Sequence, residues 1–433
     1  MLPARTSSEL PSTTEKGLQD VHLNAEFFGK VVGSRGTLLD WKLMEIDSGG
    51  INLTKFLKQG AKHISKKFGI IGYIIRYTSY SGSVVEWPVV MKSKLLDNTV
   101  LAVMTNGPSL EGSGLETAAR PEFQTLLSVI GYRLTHEREL AIYQMEEPEL
   151  QQFLPQTYHS ISSISKEIFV VVMEYLSNEH FIHLNTIDDV SVWTTADIKI
   201  VLRDLAKIHA IFVGKVEWLG QQSWMDHTHS RDAALKLRPF LKHLLANIAN
   251  EFPEFWTSQV VKLITEAIDS VDELWNVFDS FPKTLIHNDC NPRNICIRKV
   301  TSYQDASSYE DLRQMCIYDW EMARIGVPQH DLAEFLAFVL PPEYSIGKRM
   351  ELIAYYIEML EKYSKQKFDQ ENFLKVLDAA ALDMQFTKFS VYTAPSKANQ
   401  VMFVSRVVRS NSTYLLQRKS DGHIKFTTTT AEL

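Results

Sequence analysis

The sequence predicts an α+β chain in two lobes, a small antiparallel-sheet lobe followed by a larger, mainly helical one, and three observations carry that expectation. The 433 residues exceed the length at which a single hydrophobic core stops growing, so the chain should divide. Runs rich in β-branched and aromatic residues are concentrated before about residue 177. Beyond that point apolar residues recur mostly at the helical period, interrupted by one short hairpin pattern.

Residues 1–20, rich in Ser, Thr, Pro and Glu, lack the apolar stretch of a secretory signal and are expected to be a disordered tail. The first lobe then covers 21–176. From about residue 53 to 94 the pattern is that of strands: Ile70-Ile71-Gly72-Tyr73-Ile74-Ile75-Arg76-Tyr77-Thr78, a Ser/Gly turn at 79–83, and a second strand over 84–94. Residues 98–121, with Asn-Gly-Pro and Gly-Ser-Gly, read as a surface insertion. Pro121 suits the first turn of a helix running to Tyr143, with a break expected near Gly131. Ile168-Phe169-Val170-Val171-Val172-Met173 is apolar on both faces, as a doubly buried strand requires, and the polar residues after it mark the lobe boundary.

The helical lobe covers 177–433. Val201, Leu205, Ile208 and Phe212 form one stripe over 197–213, and Thr194 with Asp197 suits a capping box at its start. Further helices are expected at 233–249, 257–279, 347–364, 371–390 and 399–416, and the strands 295–298 and 315–318 should pair as a hairpin across the polar loop 301–314.

Composition narrows the function. A net charge of −7 argues against a nucleic-acid partner. The three cysteines, Cys290, Cys296 and Cys316, have no C-x-x-C spacing, which disfavours a disulfide framework or a zinc site. No 18-residue apolar stretch could span a membrane, so a cytoplasmic protein, monomeric or homodimeric, is expected.

The segment with the most chemistry is His287-Asn288-Asp289-Cys290-Asn291-Pro292-Arg293-Asn294. Phosphoryl transfer needs an acceptor hydroxyl held in line, a carboxylate to take its proton, and cations to neutralise the phosphates. Asp289 and Asn294 stand five positions apart on a loop opening into a strand, so the Asp can face an acceptor while the Asn offers an oxygen to a divalent metal. Asp319, at the end of the partner strand, comes from the other arm of the same hairpin.

These residues resemble the superfamily of aminoglycoside phosphotransferases, choline kinases and ecdysteroid kinase-like proteins, whose fold is that of the protein kinases. His287 to Asn294 is similar to its catalytic loop, Asp319-Trp320-Glu321 to its metal-binding triplet, Leu205-Ala206-Lys207-Ile208-His209-Ala210 to a helix motif, and Pro328-Gln329-His330-Asp331-Leu332-Ala333 to the segment after the metal Asp. The matching order extends from Leu205 to Ala333. The resemblance implies a two-lobed, protein-kinase-like fold, ATP and Mg²⁺ as cofactors, and a small-molecule hydroxyl as acceptor. It makes Asp289 the catalytic base or hydroxyl-orienting group, Asn294 and Asp319 the magnesium ligands, and His287 a brace of the loop. Asn288 departs from the family's Gly, at little cost if the position is left-handed.

A nucleotide site of this type needs a strand Lys held by a helix Glu. Lys92 and Glu139 are the candidates, the latter resembling the family's helical Glu followed four positions later by a Tyr, here Tyr143, with Lys94 and Glu137 as rivals; Lys92 and Lys94 share one face of the strand. The phosphate-covering loop is expected near Gly69 and Gly72, and Glu174, Tyr175 and Leu176 as the hinge reading the base. His209 is expected to pack in hydrogen-bonded burial and Asp331 to brace the catalytic loop. Trp320 and Glu321 are candidates for the substrate pocket, and an aromatic cage of Trp193, Trp224 and Trp320 is a weaker option. His227, His229 and Asp226 read as a solvated loop rather than a metal site.

The expected function is therefore an ATP- and Mg-dependent phosphotransferase acting on an amino-alcohol, aminoglycoside, sterol or natural-product-like acceptor. The alternatives are a protein kinase, which the lack of an Ala-Pro-Glu element after Asp319 disfavours, and a nucleotide-binding pseudoenzyme.

Overall fold

Five antiparallel strands form the first lobe: β1 (Gly36–Met44), β2 (Gly69–Ser79), β3 (Val84–Ser93), β4 (Thr157–Ser163) and β5 (Ile168–Glu174), in the spatial order β1-β2-β3-β5-β4. The computed structural model describes residues 15–16, 21–46, 69–94, 96–97, 120–184, 189–300, 312–394 and 402–426. The Ser/Gly turn closes β2 onto β3, with Gly82 at φ 82° and Ser79 N–H donating to Ser83 O at 2.8 Å. Strand β5 is enclosed by β3 and β4, and its apolar run buries both faces. On one face lies α1 (Ala25–Val32), capped by Asn24, which packs Phe27, Phe28, Val31 and Val32 on Tyr73, Ile75, Val89 and Met91. Each such side chain contributes about 1.5–3 kcal/mol by leaving water.

Behind the sheet, the helix expected from Pro121 to Tyr143 is two helices, α2 (Arg120–Ile130) and α3 (Thr135–Tyr143). The break falls where Gly131 and Leu134 take φ of 125° and 55°.

The second lobe is mainly helical. After β6 (Phe181–His183), α4 (Thr195–Phe212) opens on the expected capping box, Thr194 Oγ1 accepting Asp197 N–H at 3.1 Å while the Asp197 carboxylate accepts Thr194 N–H at 3.3 Å. Then come α5 (Arg231–Glu251), α6 (Ser258–Asp269) and α7 (Val271–Asp279). Four short strands follow: β7 (Thr284–Ile286), β8 (Ile295–Lys299), β9 (Arg313–Ile317) and β10 (Arg324–Gly326). The chain ends in α8 (Gln329–Val339), α9 (Ile346–Ser364), α10 (Gln370–Phe386), α11 (Lys388–Thr393) and α12 (Met402–Ser420).

Two expected helices are divided. The helix over 257–279 breaks at Ser270, whose φ of −97° and ψ of 22° leave the helical region, although both halves keep an apolar face. The helix over 371–390 ends at Phe386, where Thr387 Oγ1 bonds back to Asp383 O at 2.6 Å and the chain turns into α11. Strand β8 pairs with β9 in the expected hairpin and with β6 on its other side.

The expected tail lies outside the described residues except Glu15–Lys16, which pair with His22–Leu23. The insertion at 98–121 lies outside them as far as 119, as does the strand-like pattern from 53 to 68. Sheet first and helices second make the two-lobed, protein-kinase-like fold that the sequence predicts. Among the described residues no helix is long and apolar enough to cross a membrane.

Candidate active site

The segment from His287 to Asn294 links β7 to β8, and its backbone is held from several sides. Asp331, in the first turn of α8, accepts His287 N–H at 2.7 Å and Asn288 N–H at 2.8 Å on separate oxygens. His287 Nδ1 accepts Asp289 N–H at 3.2 Å, which leaves Nε2–H to donate to Tyr318 O at 3.0 Å. Burial keeps that imidazole below its ordinary pKa, so the neutral tautomer fits both bonds. Glu334 accepts Cys290 N–H at 3.1 Å. Asn288 sits at φ 58°, where Asn is tolerated, and its amide donates to Ile130 O at 2.8 Å and Met322 O at 3.0 Å.

Asp331 is anchored in turn. His209, fully buried on α4, meets it through Nε2 at 3.1 Å and Tyr356 Oη through Nδ1 at 2.5 Å. Burial would raise the Asp331 carboxyl, but His209 and His287 more than offset it and the group stays below the usual carboxylate range.

One carboxylate oxygen of Asp289 accepts Asn294 Nδ2–H at 2.7 Å. The other faces Tyr392 Oη at 3.2 Å and Lys388 Nζ at 3.5 Å. Burial pushes its pKa up, yet Lys388, Arg293 and His287 outweigh that and hold it below the ordinary value. Asn294, committed to Asp289 through its amide nitrogen, keeps its carboxamide oxygen as the atom to offer a hard cation.

Asp319 follows β9 at φ 66°, a left-handed position uncommon outside Gly, Asn and Asp. Its carboxylate lies 2.8 Å from both Lys92 Nζ and Lys94 Nζ. Burial raises its pKa, the two lysines lower it further, and the net value is far below the usual range. Glu139, its side chain 1% exposed, meets Lys92 at 2.7 Å and Lys94 at 3.0 Å. Lys94 also pairs with Glu321, which burial and the neighbouring Asp319 push up to about 7 against the pull of the lysines. Both rival lysines thus enter one cluster, whereas Glu137 turns to His136 at 3.7 Å and stays out of it. Helix α3 holds the assembly together. Tyr143 Oη donates to Glu139 at 3.0 Å and accepts Asp319 N–H at 3.1 Å, and Arg138 donates to the Glu321 carbonyl at 2.8 Å.

Other expected positions fall differently. Gly69 and Gly72 are not in a loop: they pair within β2, opposite Ser93 and Val90, because the β-branched run carries the strand through them. A Cβ on Gly72 would stand 2.6 Å from the Ile46 side chain, so its smallness serves packing. The connection from β1 to β2 lies outside the described residues over 47–68. Glu174, Tyr175 and Leu176 lead out of β5; Glu174 pairs with Arg298 at 3.0 Å, and the Tyr175 and Leu176 carbonyls accept from Ser177 N–H and His183 Nε2.

Trp320 does not line an open pocket. It is fully buried, donates Nε1–H to Ile317 O at 3.2 Å and sets its ring edgewise to His287, so it packs beneath the loop. Trp193 and Trp224 are buried too, and Trp193 bonds Leu184 O, which leaves no aromatic cage of these three. Of the loop read as solvated, His227 is exposed, while His229 is half-buried, its ring packed by Trp275 and His330, and burial depresses its pKa.

Lys388, Tyr392 and Glu334 escaped the sequence reading. The available signal was a lone charge at Lys388 between Phe386 and Phe389, since an ion in an apolar run implies a buried partner.

Among the described residues no group of three or more His, Cys, Asp or Glu is arranged to hold a metal. Two hard oxygen donors, Asn294 and an ionised Asp319, are what magnesium requires when water and phosphate complete its shell, so the residues fit that ion.

A family model described as the ecdysteroid kinase-like family matches residues 131–367, more than half of the chain. No curated protein matches. Among solved structures, a choline kinase from Streptococcus pneumoniae is 14% identical with a TM-score of 0.39, covering 92% of this chain and 98% of that one. An aminoglycoside phosphotransferase from Alicyclobacillus acidocaldarius is 12% identical with a TM-score of 0.40, covering 81% and 91%. An ethanolamine kinase from Plasmodium vivax is 10% identical with a TM-score of 0.37, covering 89% and 83%. By the family match over the segment that carries the loop, the triplet and the α8 anchor, the chain belongs to the ecdysteroid kinase-like family.

Proposed function

We propose that the chain transfers the terminal phosphoryl group of ATP to a hydroxyl of a small molecule. The observation that supports this most is convergence: Asp289 bonds Asn294 within one loop, Tyr318 N–H donates to Asn294 O at 3.0 Å and ties that loop to the hairpin that ends in Asp319, and Asp319 pairs across the lobes with Lys92, itself held by Glu139.

Lys92 and Lys94, held by Glu139, take the phosphate oxygens, exchanging Asp319 for the nucleotide. Asn294 and Asp319 hold magnesium, which when bound neutralises charge on the phosphates. Asp289 orients the acceptor hydroxyl and receives its proton. Its depressed pKa makes it a weak base, which suits a loose transition state in which the attacking oxygen gives up its proton late. The acceptor range is that of amino-alcohols, aminoglycosides, sterols and similar natural products, and the protein works in the cytoplasm as a monomer or homodimer. Glu174, Tyr175 and Leu176 would supply the backbone that meets the base.

Asp289→Asn tests this directly. Turnover should fall by about 10²- to 10⁴-fold, with ADP affinity by calorimetry within a few-fold of the parent. Undiminished turnover would sink the assignment.

A further inference from the structure

Lys388 is buried, its Nζ reaching three oxygens: the Asn288 carbonyl at 2.5 Å, Glu334 Oε1 at 2.5 Å and Asp289 Oδ1 at 3.5 Å. Glu334, equally buried on α8, uses its other oxygen to accept Cys290 N–H at 3.1 Å. The peptide groups on both sides of Asp289 are therefore tied to one buried ion pair. Taking two charges out of water costs several kcal/mol per ion before their attraction is counted, so a buried pair at this place is not there for stability alone. Tyr392, one turn further along α11, points its hydroxyl at the same carboxylate oxygen of Asp289, at 3.2 Å.

We infer that Lys388 and Glu334 are positioning residues of the catalytic loop: their ion pair, carried by α8 and α11, fixes the direction in which Asp289 presents its carboxylate. This rests on the proposed phosphoryl transfer. Asp331 holds the loop's amides at 287 and 288, and the Lys388–Glu334 pair holds the carbonyl of Asn288 and the amide at 290. These four bonds constrain the backbone on both sides of Asp289, and Lys388 meets the carboxylate oxygen that Asn294 does not.

The test uses the full-length chain with an acceptor it is found to phosphorylate. Lys388→Met should lower kcat by about 10²-fold, with the KM for ATP and the affinity for ADP within about twofold of the parent. Lys388→Arg, which restores the charge, should recover activity to within about tenfold of the parent. Because loss of the pair can unfold part of the protein, rates are taken per folded molecule, titrated by ADP binding. A double-mutant cycle separates positioning from general loss: on an Asp289→Asn background, Lys388→Met should cost less than about threefold more. A parental kcat in Lys388→Met, an equal loss on both backgrounds, or no recovery with Arg would overturn the inference. Absence of turnover by the parent with every acceptor would count against the phosphotransferase reading instead, and is scored on the parent alone.

Discussion

Lys92 and Lys94 both reach Glu139 and Asp319, and the bonds they make assign them different weights. Lys92 lies inside β3 and is bound by Glu139 at 2.7 Å, while Lys94 follows the strand and is shared with Glu321. A charged hydrogen bond is worth about 1.5–3 kcal/mol, so Lys92→Met should weaken ADP binding by about 10- to 100-fold. Lys94→Met should weaken it less; calorimetric titration of both variants measures the order, and the reverse order would reassign the phosphate ligand. At Glu334 the expectation concerns pH. Burial raises its pKa from 4.5 to about 7, aided by Asp289 and opposed by Lys388. A carboxyl raised in the folded state contributes stability that is full below about 4.5 and lost as pH rises through about 7. Thermal melts across that window should show the parent losing stability with pH, and Glu334→Gln lacking that part of the slope. A parallel slope in the variant would refute the shift.

Helix α3 is the element on which the proposed nucleotide and metal residues depend together, since Glu139, Tyr143 and Arg138 all bond from it to the cluster or to the Asp319–Glu321 turn. Its start is set by Asp97, which accepts Thr135 N–H at 3.1 Å and the Thr135 hydroxyl at 2.9 Å, and by the turn at Gly131. At φ 125°, a conformation that side chains rarely adopt, and with Asn288 Nδ2 3.0 Å and Met322 O 3.2 Å from where a Cβ would stand, a larger residue at Gly131 is strained and crowds the Asn288 amide. Gly131→Ala should destabilise the protein by about 1–3 kcal/mol and lower turnover more than nucleotide affinity, because the Asn288 amide is displaced first. Melts and kcat measured together check this; a stable variant with parental kcat would contradict it. This element also shows what a sequence can and cannot reveal. The break at Gly131 was legible because a glycine punctuates a periodic run, and Glu139 with Tyr143 because the pair resembles the family's helical Glu and Tyr, whose bond a four-residue spacing on one helix face permits. The Asp97 cap was not, since it comes from 37 residues away, next to a segment with no period.

Over the whole molecule, the β8–β9 hairpin was readable because two short apolar strands flank a polar loop, and the candidate loop from His287 to Asn294 stood out because it and Asp319 resemble the family's motifs in residue type and order. Strands of three residues such as β7 and β10 are too short for alternation to register, and they fix where the loop begins and the triplet ends. Lys388 and Glu334 were hidden for another reason: no helix was expected over α8, Lys388 fell inside the single helix expected at 371–390, and only the fold brings the two beside Asp289. Under the proposed transfer, the charged cluster that joins the two lobes serves nucleotide and metal beside the loop that carries Asp289. The most direct measurement is mass spectrometry of pooled hydroxyl compounds incubated with the chain and ATP, with and without magnesium, beside the Asp289→Asn variant. The account predicts that at least one compound gains a single phosphate on a hydroxyl, only with magnesium and only with the parent chain. Phosphate appearing equally with the variant, or on no small molecule under any condition, would contradict it.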